Sequence, residues 1–531
     1  MTRDNYKFLA TDLELAREKG FEYFKKSENW PVKEDEFREF SSFVRNLYSK
    51  VINDISDADV FDVALIEMVF VNHIIGIFHY NYVKNFCKNN NIELMSGDDS
   101  YHHLNPEWEI VENYYSNLAG SYSRIVSFMR NIAKNIVFNR HLTIGRMIHG
   151  FFADSKVVGI GSNDRIKQSY IIKNNLFCDN RDGNTLINKA LFLYLKNKNN
   201  NPVNQFSKLV SRKVIKPFLC GMCDSKTMFI EGIDFDTIER VWLKRFSDAH
   251  KIYKGLFLIN TPKVLLVTET GKPYSKIITL AFQRRRCNVF NFHHGNDSAL
   301  VNQRWGYQSL FGHCDNYIVD TGIIRQRFEE LNRNDKTIGR RLTKFISIDS
   351  SYYSELRKTV YQNNSDHKKI MIMGYPMNLA RYADDSYAFY YYKILLEHKL
   401  LSTIKDSGYH VTYKAHPDRL NEVKSIMDDV SDNIIKLPFE DVVEESGILI
   451  FTYVHTTTFC YALNLPIPIV LVESPGTPWY QDIRNTLEKR VAIVKTHVSN
   501  NEIIVDNDKL IDAIRVSKNR INLHVAKEIT G

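Results

Sequence analysis

At 531 residues the chain is longer than one hydrophobic core serves, so two or three domains are expected. A hydrophobic share of 44% beside 25% charged and 12% aromatic residues is that of a soluble globular protein and excludes general disorder. The formal charge of +8 suits anionic partners such as nucleotides, acidic glycans or a membrane surface, or is simply a mildly basic exterior; no arginine-rich tail or glycine-arginine repeat points to nucleic acid.

Residues 1–150 read as helical almost throughout, an all-α N-terminal region. Met1-Thr2-Arg3-Asp4-Asn5 lacks the charged-then-apolar pattern of a secretory signal. Phe37, Phe40, Phe43, Val44, Leu47 and Val51 recur at spacings of three and four, as do Val111, Tyr114, Leu118, Tyr122, Ile125, Phe128 and Met129. Asp57-Ala58-Asp59 resembles the carboxylate pair of metal-dependent sugar transferases, but sits where a helix N-cap belongs, and capping is the preferred reading. The most apolar stretch, 63–80, carries Glu67, Asn72, His73 and His79, so it reads as a buried helix and not a bilayer span. A cytoplasmic location is expected, with peripheral contact at the inner membrane left open.

From Lys156 the pattern changes. Val157-Val158-Gly159-Ile160-Gly161 is a short strand closing in Ser162-Asn163-Asp164, and a Rossmann-like domain over 151–335 is expected. Residues 196–202 form a solvated loop and 203–255 are again mostly helical. Cys220-Gly221-Met222-Cys223 has half-zinc or redox spacing, but no second such pair follows, and seven scattered cysteines fit a reducing compartment. Strands are expected at 263–268, 288–292 and 316–319, with a helix at 274–285; the second strand ends in His293-His294-Gly295-Asn296-Asp297. The polar stretch from 330 to 366 reads as a linker.

A second Rossmann-like domain is expected over 366–500. Strands at 369–373, 411–415, 434–438, 448–452, 468–472 and 491–494 alternate with helices. Lys414-Ala415-His416-Pro417-Asp418-Arg419 reads as a strand delivering a histidine to its C-terminal tip, because Pro417 removes a backbone donor and ends the ladder. A last helix, about 507–527 within the terminal segment 501–531, is expected to pack back across both domains.

At His416-Pro417, His293-His294-Gly295 and Thr456-Thr457-Thr458 the sequence resembles bacterial surface-polysaccharide transferases, a group that includes the CDP-glycerol glycerophosphotransferases, the polysialyltransferases and the capsular Kdo transferases. The resemblance covers roughly residues 260–495. It implies a GT-B-like α/β fold, two Rossmann-like domains facing a cleft, and a metal-independent, inverting glycosyltransferase without a cofactor. The donor would be a nucleotide-activated sugar, such as a CMP-linked ulosonic acid or another CDP- or UDP-linked group, and the acceptor a glycan or lipid-linked glycan. In that group the His-Pro histidine and a hydroxyl-rich loop hold the donor phosphate from two sides, which carries over to His416 and Thr456, Thr457 and Thr458. Physical chemistry agrees, since free amides, hydroxyls and a helix N-terminus all favour a phosphate; the alternative is a threonine that only caps its helix.

Lys414 and Arg419 would add charge, Gly374 would let backbone approach the ligand, Tyr375 would stack on a base, and Glu473 would accept ribose hydroxyls or be a solvated turn residue. The acceptor-side base matches His294, by likeness to the functional His-Gly histidine of the glycerophosphotransferases, with His293, Asp297 and Glu269 as substitutes; the two histidines alternatively buttress a turn. No Asp-x-Asp ends a strand, so no metal site is expected. A UDP-sugar 2-epimerase and a non-enzymatic glycan-assembly scaffold are the competing readings.

Overall fold

The structure is a computed structural model that describes residues 8–10, 31–95, 132–133, 135–152, 157–162, 164–197, 202–225, 227–268, 273–293, 300–301, 311–334, 343–358, 366–374, 390–416, 427–454, 456–499 and 502–531. Two six-stranded parallel sheets organise it. The first contains β1 (Val157–Ile160), β2 (Cys178–Asn180), β3 (Val264–Val267), β4 (Asn288–Phe292), β5 (Asn316–Val319) and β6 (Lys344–Ser347), in the order β2-β1-β3-β4-β5-β6. The second contains β7 (Lys369–Met373), β8 (His410–Lys414), β9 (Asn433–Ile435), β10 (Ile448–Phe451), β11 (Ile469–Glu473) and β12 (Ala492–Lys495), in the order β9-β8-β7-β10-β11-β12. Buried on both faces, the inner strands are continuous apolar runs such as Ile448-Leu449-Ile450-Phe451, all below 1% exposed.

The N-terminal helices are built into the first unit. Glu34–Asn53, Ala58–Ile66 and Met68–Asn89 pack with the long helix Phe235–Leu256, whose Trp242 is fully buried, stacked on Tyr48 at 5.6 Å and edge-on to Phe218 at 5.3 Å. Asp57 caps the Ala58–Ile66 helix by accepting from the Val60 amide at 2.9 Å, as the capping reading requires.

Several features depart from the sequence reading. Phe8–Ala10 and Glu93–Met95 pair as short parallel strands, so the N-terminal region is not purely helical. The apolar stretch 63–80 is broken at Glu67, where the buried carboxylate pairs with the Arg245 guanidinium at 2.9 Å. The stretch read as a linker supplies β6, which pairs with β5, so the first sheet extends to Ser347. The last helix is two, Asn507–Ser517 and Leu523–Thr530, because Asn522 caps the second through the Val525 amide. The helix read at 111–129 lies outside the described residues.

One apolar cluster runs from the N-terminal helices through the first sheet to one face of the second; another fills that sheet's opposite face. Leu523–Thr530 touches both units: Arg327 of the first donates to the Ile529 carbonyl at 3.0 Å, and Ala526 and Ile529 lie in the second unit's apolar cluster. Among the described residues no single helix is long and apolar enough to cross a membrane.

Candidate functional site

Strand order marks where open α/β sheets bind ligands. In the second sheet the chain starts at β7, adds β8 and β9 on one side, then crosses to β10 on the other. That reversal puts the topological switch point at the carboxyl ends of β7 and β10, the position at which open α/β sheets bind ligands. Met373 pairs with both Lys414 and Phe451, so the three central strands end level. With parallel strands about 4.8 Å apart, the tips of β8 and β10 stand roughly 10 Å from each other, with Gly374 between them.

The residues around that point are firmly held. Gly374 donates to the Lys414 carbonyl at 2.9 Å, and its own carbonyl accepts from the Tyr453 hydroxyl at 3.1 Å. A Cβ here would stand 2.5 Å from the Tyr413 hydroxyl, so the glycine is demanded by the residue beneath it and not only by a ligand above. Tyr413 in turn donates to the buried carboxylate of Glu397 at 2.6 Å. Lys414 is buried and gives one proton to the Ala415 carbonyl at 2.8 Å; loss of solvent pushes its pKa below the usual lysine value. His416 follows at the half-buried end of β8.

After β10 the chain turns into the short helix Thr457–Leu463. Thr456 is its N-cap, in extended conformation, accepting from the Thr458 amide at 3.2 Å. Thr457 is exposed, while Thr456 and Thr458 are half-buried. The far end is locked by Arg490, fully buried, which donates to the carbonyls of Leu463, Leu465 and Ile467 at 3.0, 2.7 and 3.0 Å. Capping and ligand contact are therefore both open to this loop, because a threonine hydroxyl can do one while its neighbours do the other.

Glu473 is differently employed. Both its oxygens accept from Arg484 at 2.9 Å, in a pair 11% and 8% exposed, and Trp479 donates to the same carboxylate. Three donors already occupy the group that a ribose would need, so it fixes the tip of β11.

Among the described residues, several at the first sheet's tips are held by one another. Its switch point lies between β1 and β3. There Gly161, at φ +80°, packs against the Thr268 carbonyl, and Thr268 donates to the Ser162 carbonyl at 2.6 Å. The buried Lys167 ammonium donates to the Ile160 carbonyl at 3.1 Å. Asp320, after β5, is fully buried and held in a two-pronged pair by Arg165, whose guanidinium lies 3.8 Å over the Tyr352 ring. His293 is also turned inward: its Nδ1 is 2.7 Å from the Tyr317 hydroxyl and its ring stands edge-on to Phe328 at 5.1 Å. That packing is the arrangement a buttressing histidine would have. His294, Asp297, Glu269, Arg419 and Tyr375 lie outside the described residues.

One contact near the second unit's tips was not foreseen. Arg38, on the Glu34–Asn53 helix, lies over Gly476 just beyond β11, so the N-terminal region reaches both units. Only tertiary placement reveals it; in sequence Arg38 is one charge on an amphipathic helix. Among the described residues no three His, Cys, Asp or Glu side chains gather to hold a metal. No family model matches the chain, and no curated protein sequence matches it.

Proposed function

We propose that the protein is a GT-B-type glycosyltransferase that receives the phosphate of a nucleotide-activated sugar at the carboxyl ends of β7, β8 and β10 and transfers the sugar to a bacterial surface glycan. The supporting observation is the strand order of the second sheet. His416 and Thr456–Thr458, singled out in sequence as phosphate holders, follow the strands that flank β7, at the switch point where such sheets bind ligands. From opposite sides of Gly374 an imidazole and hydroxyls can converge on one anion, and the tyrosine contacts beneath hold the glycine in place.

In this reading the donor unit stabilises the departing phosphate, with His416 and the threonine hydroxyls as hydrogen-bond donors. The acceptor hydroxyl attacks the anomeric carbon as its proton passes to a base from the first unit, with His294 the first candidate and Asp297 and Glu269 behind it. Thermal-shift titration with CMP, CDP, UDP, GDP and ADP, with His416→Ala alongside, tests the donor half. The expected result is a rise in melting temperature with one nucleotide that disappears in the variant. No response to any nucleotide, or an equal response in the variant, removes the assignment. His294→Ala is expected to bind the same nucleotide and lose turnover.

A further inference from the structure

The segment 132–152 turns the usual amphipathic arrangement inside out. Asn135 and Asn139, one helical turn apart, are 4% and 0% exposed and face the sheet. Asn139 accepts from the Cys178 amide at 2.9 Å and donates to the Cys178 carbonyl at 3.0 Å, while Asn135 accepts from the Asn180 amide at 2.7 Å and donates to the Asp179 carboxylate at 3.2 Å. Their carboxamides thus satisfy the outer edge of β2, which would otherwise present unpaired backbone groups. The aliphatic side chains are left outside: Ile136 is 48% exposed, Val137 66%, Ile144 73% and Ile148 55%. Isolated exposed aliphatics are ordinary. Four β-branched ones on a segment whose asparagines are buried mark a surface that something else covers.

Charge selects what covers it. Among its described residues, 132–133 and 135–152, the segment has no Asp or Glu and carries Arg140 and Arg146. Both arginines are exposed, and in sequence they interleave with the exposed aliphatic residues. A second copy of the chain would bring the same cations against these, which disfavours a two-fold contact. Aliphatic groups interleaved with guanidinium groups suit the boundary of an anionic bilayer, where the former enter the acyl region and the latter meet lipid phosphates.

We propose that this face seats the protein on an anionic lipid surface. Because the asparagines clamp the segment to β2, the bilayer would hold the first sheet itself at a fixed attitude. The assignment does not rest on the transferase reading and can fail or stand separately.

The test is co-sedimentation of the full chain with vesicles of phosphatidylcholine alone and of phosphatidylcholine with phosphatidylglycerol, at low and raised salt. Pelleting is expected with the anionic vesicles only, and less of it as salt rises. Arg140→Ala/Arg146→Ala should weaken partitioning on the order of tenfold, and Ile144→Asn/Ile148→Asn should weaken it also, neither changing the melting temperature, since all four side chains are exposed. Wild-type protein left in the supernatant with anionic vesicles overturns the proposal, as does pelleting that both double variants leave intact. A concentration-dependent dimer, abolished by Val137→Asp and formed without vesicle binding, would hand the face to a second copy and likewise overturn it.

Discussion

The two sheets share a layer plan and differ in what their carboxyl ends do. In the first, Arg165 holds Asp320, Lys167 covers the end of β1, and His293 is tied to Tyr317. In the second, Arg484 and Trp479 hold Glu473 at the end of β11, Tyr453 donates to the Gly374 carbonyl, and Tyr413 on Glu397 lies beneath Gly374. Thr457 there remains exposed. Among the described residues both units tie down tip side chains; the first does so around Asp320 and His293, the second at Glu473 and, through two tyrosines, around the glycine that ends β7. The lesson is that strand order alone does not mark a binding edge, because side chains at strand ends also serve the protein's own closure.

Substitutions can break this comparison. The largest effect is expected in the first unit, where Glu67→Ala would strand the buried Arg245 guanidinium and cost about 3–5 kcal/mol in denaturant unfolding. Gly161→Ala should follow at about 3 kcal/mol, since φ is +80° and a Cβ would stand 2.4 Å from the Thr268 carbonyl oxygen. Acid gives the next effect. His313 is fully buried and pushed well below its ordinary value of 6.5, by loss of solvent and then by the Lys276 charge. His250 is pushed the same way by burial, against the opposing pull of Asp59. A depressed imidazole stays neutral in the fold while the unfolded chain takes up a proton, so stability is intact above pH 6.5 and falls below it, by roughly 1 kcal/mol per pH unit per histidine. His313→Phe should flatten that slope in melting curves taken from pH 7 to 5. The smallest change sharpens the comparison: Thr456→Ala should cost about 1 kcal/mol as a lost cap. Loss of nucleotide affinity beyond that modest destabilisation would assign the hydroxyl to the ligand, and unchanged affinity would leave it a cap.

The inner strands were legible because burial on both faces writes them as unbroken apolar runs, as in 264–267 and 448–451. Cys178–Asn180 and Lys344–Ser347 were not, and both are edges of the first sheet: three and four residues long, with polar side chains admitted where only one side is covered. The break at Glu67 was hidden because its cause, Arg245, lies 178 positions away. Asn522 did carry a readable signal, a capping residue inside an apparently continuous helix. At the candidate site, the residues at strand ends were legible because a strand's end is a local event. What lies beneath them was not, since Tyr413 under Gly374 is a matter of register between neighbours.

The ionic partners of the N-terminal helices have a consequence for synthesis. Asp62 is paired with Arg284, 222 residues later, and Glu67 with Arg245, 178 residues later. At ribosomal speeds of about 5–20 residues per second, the apolar helices around them wait roughly ten to forty seconds for those cations to emerge. Through that interval the nascent chain displays sticky surface that it cannot yet bury. The first half of this protein is therefore expected to need chaperone attendance during translation, and its yield to rise when elongation is fast relative to aggregation.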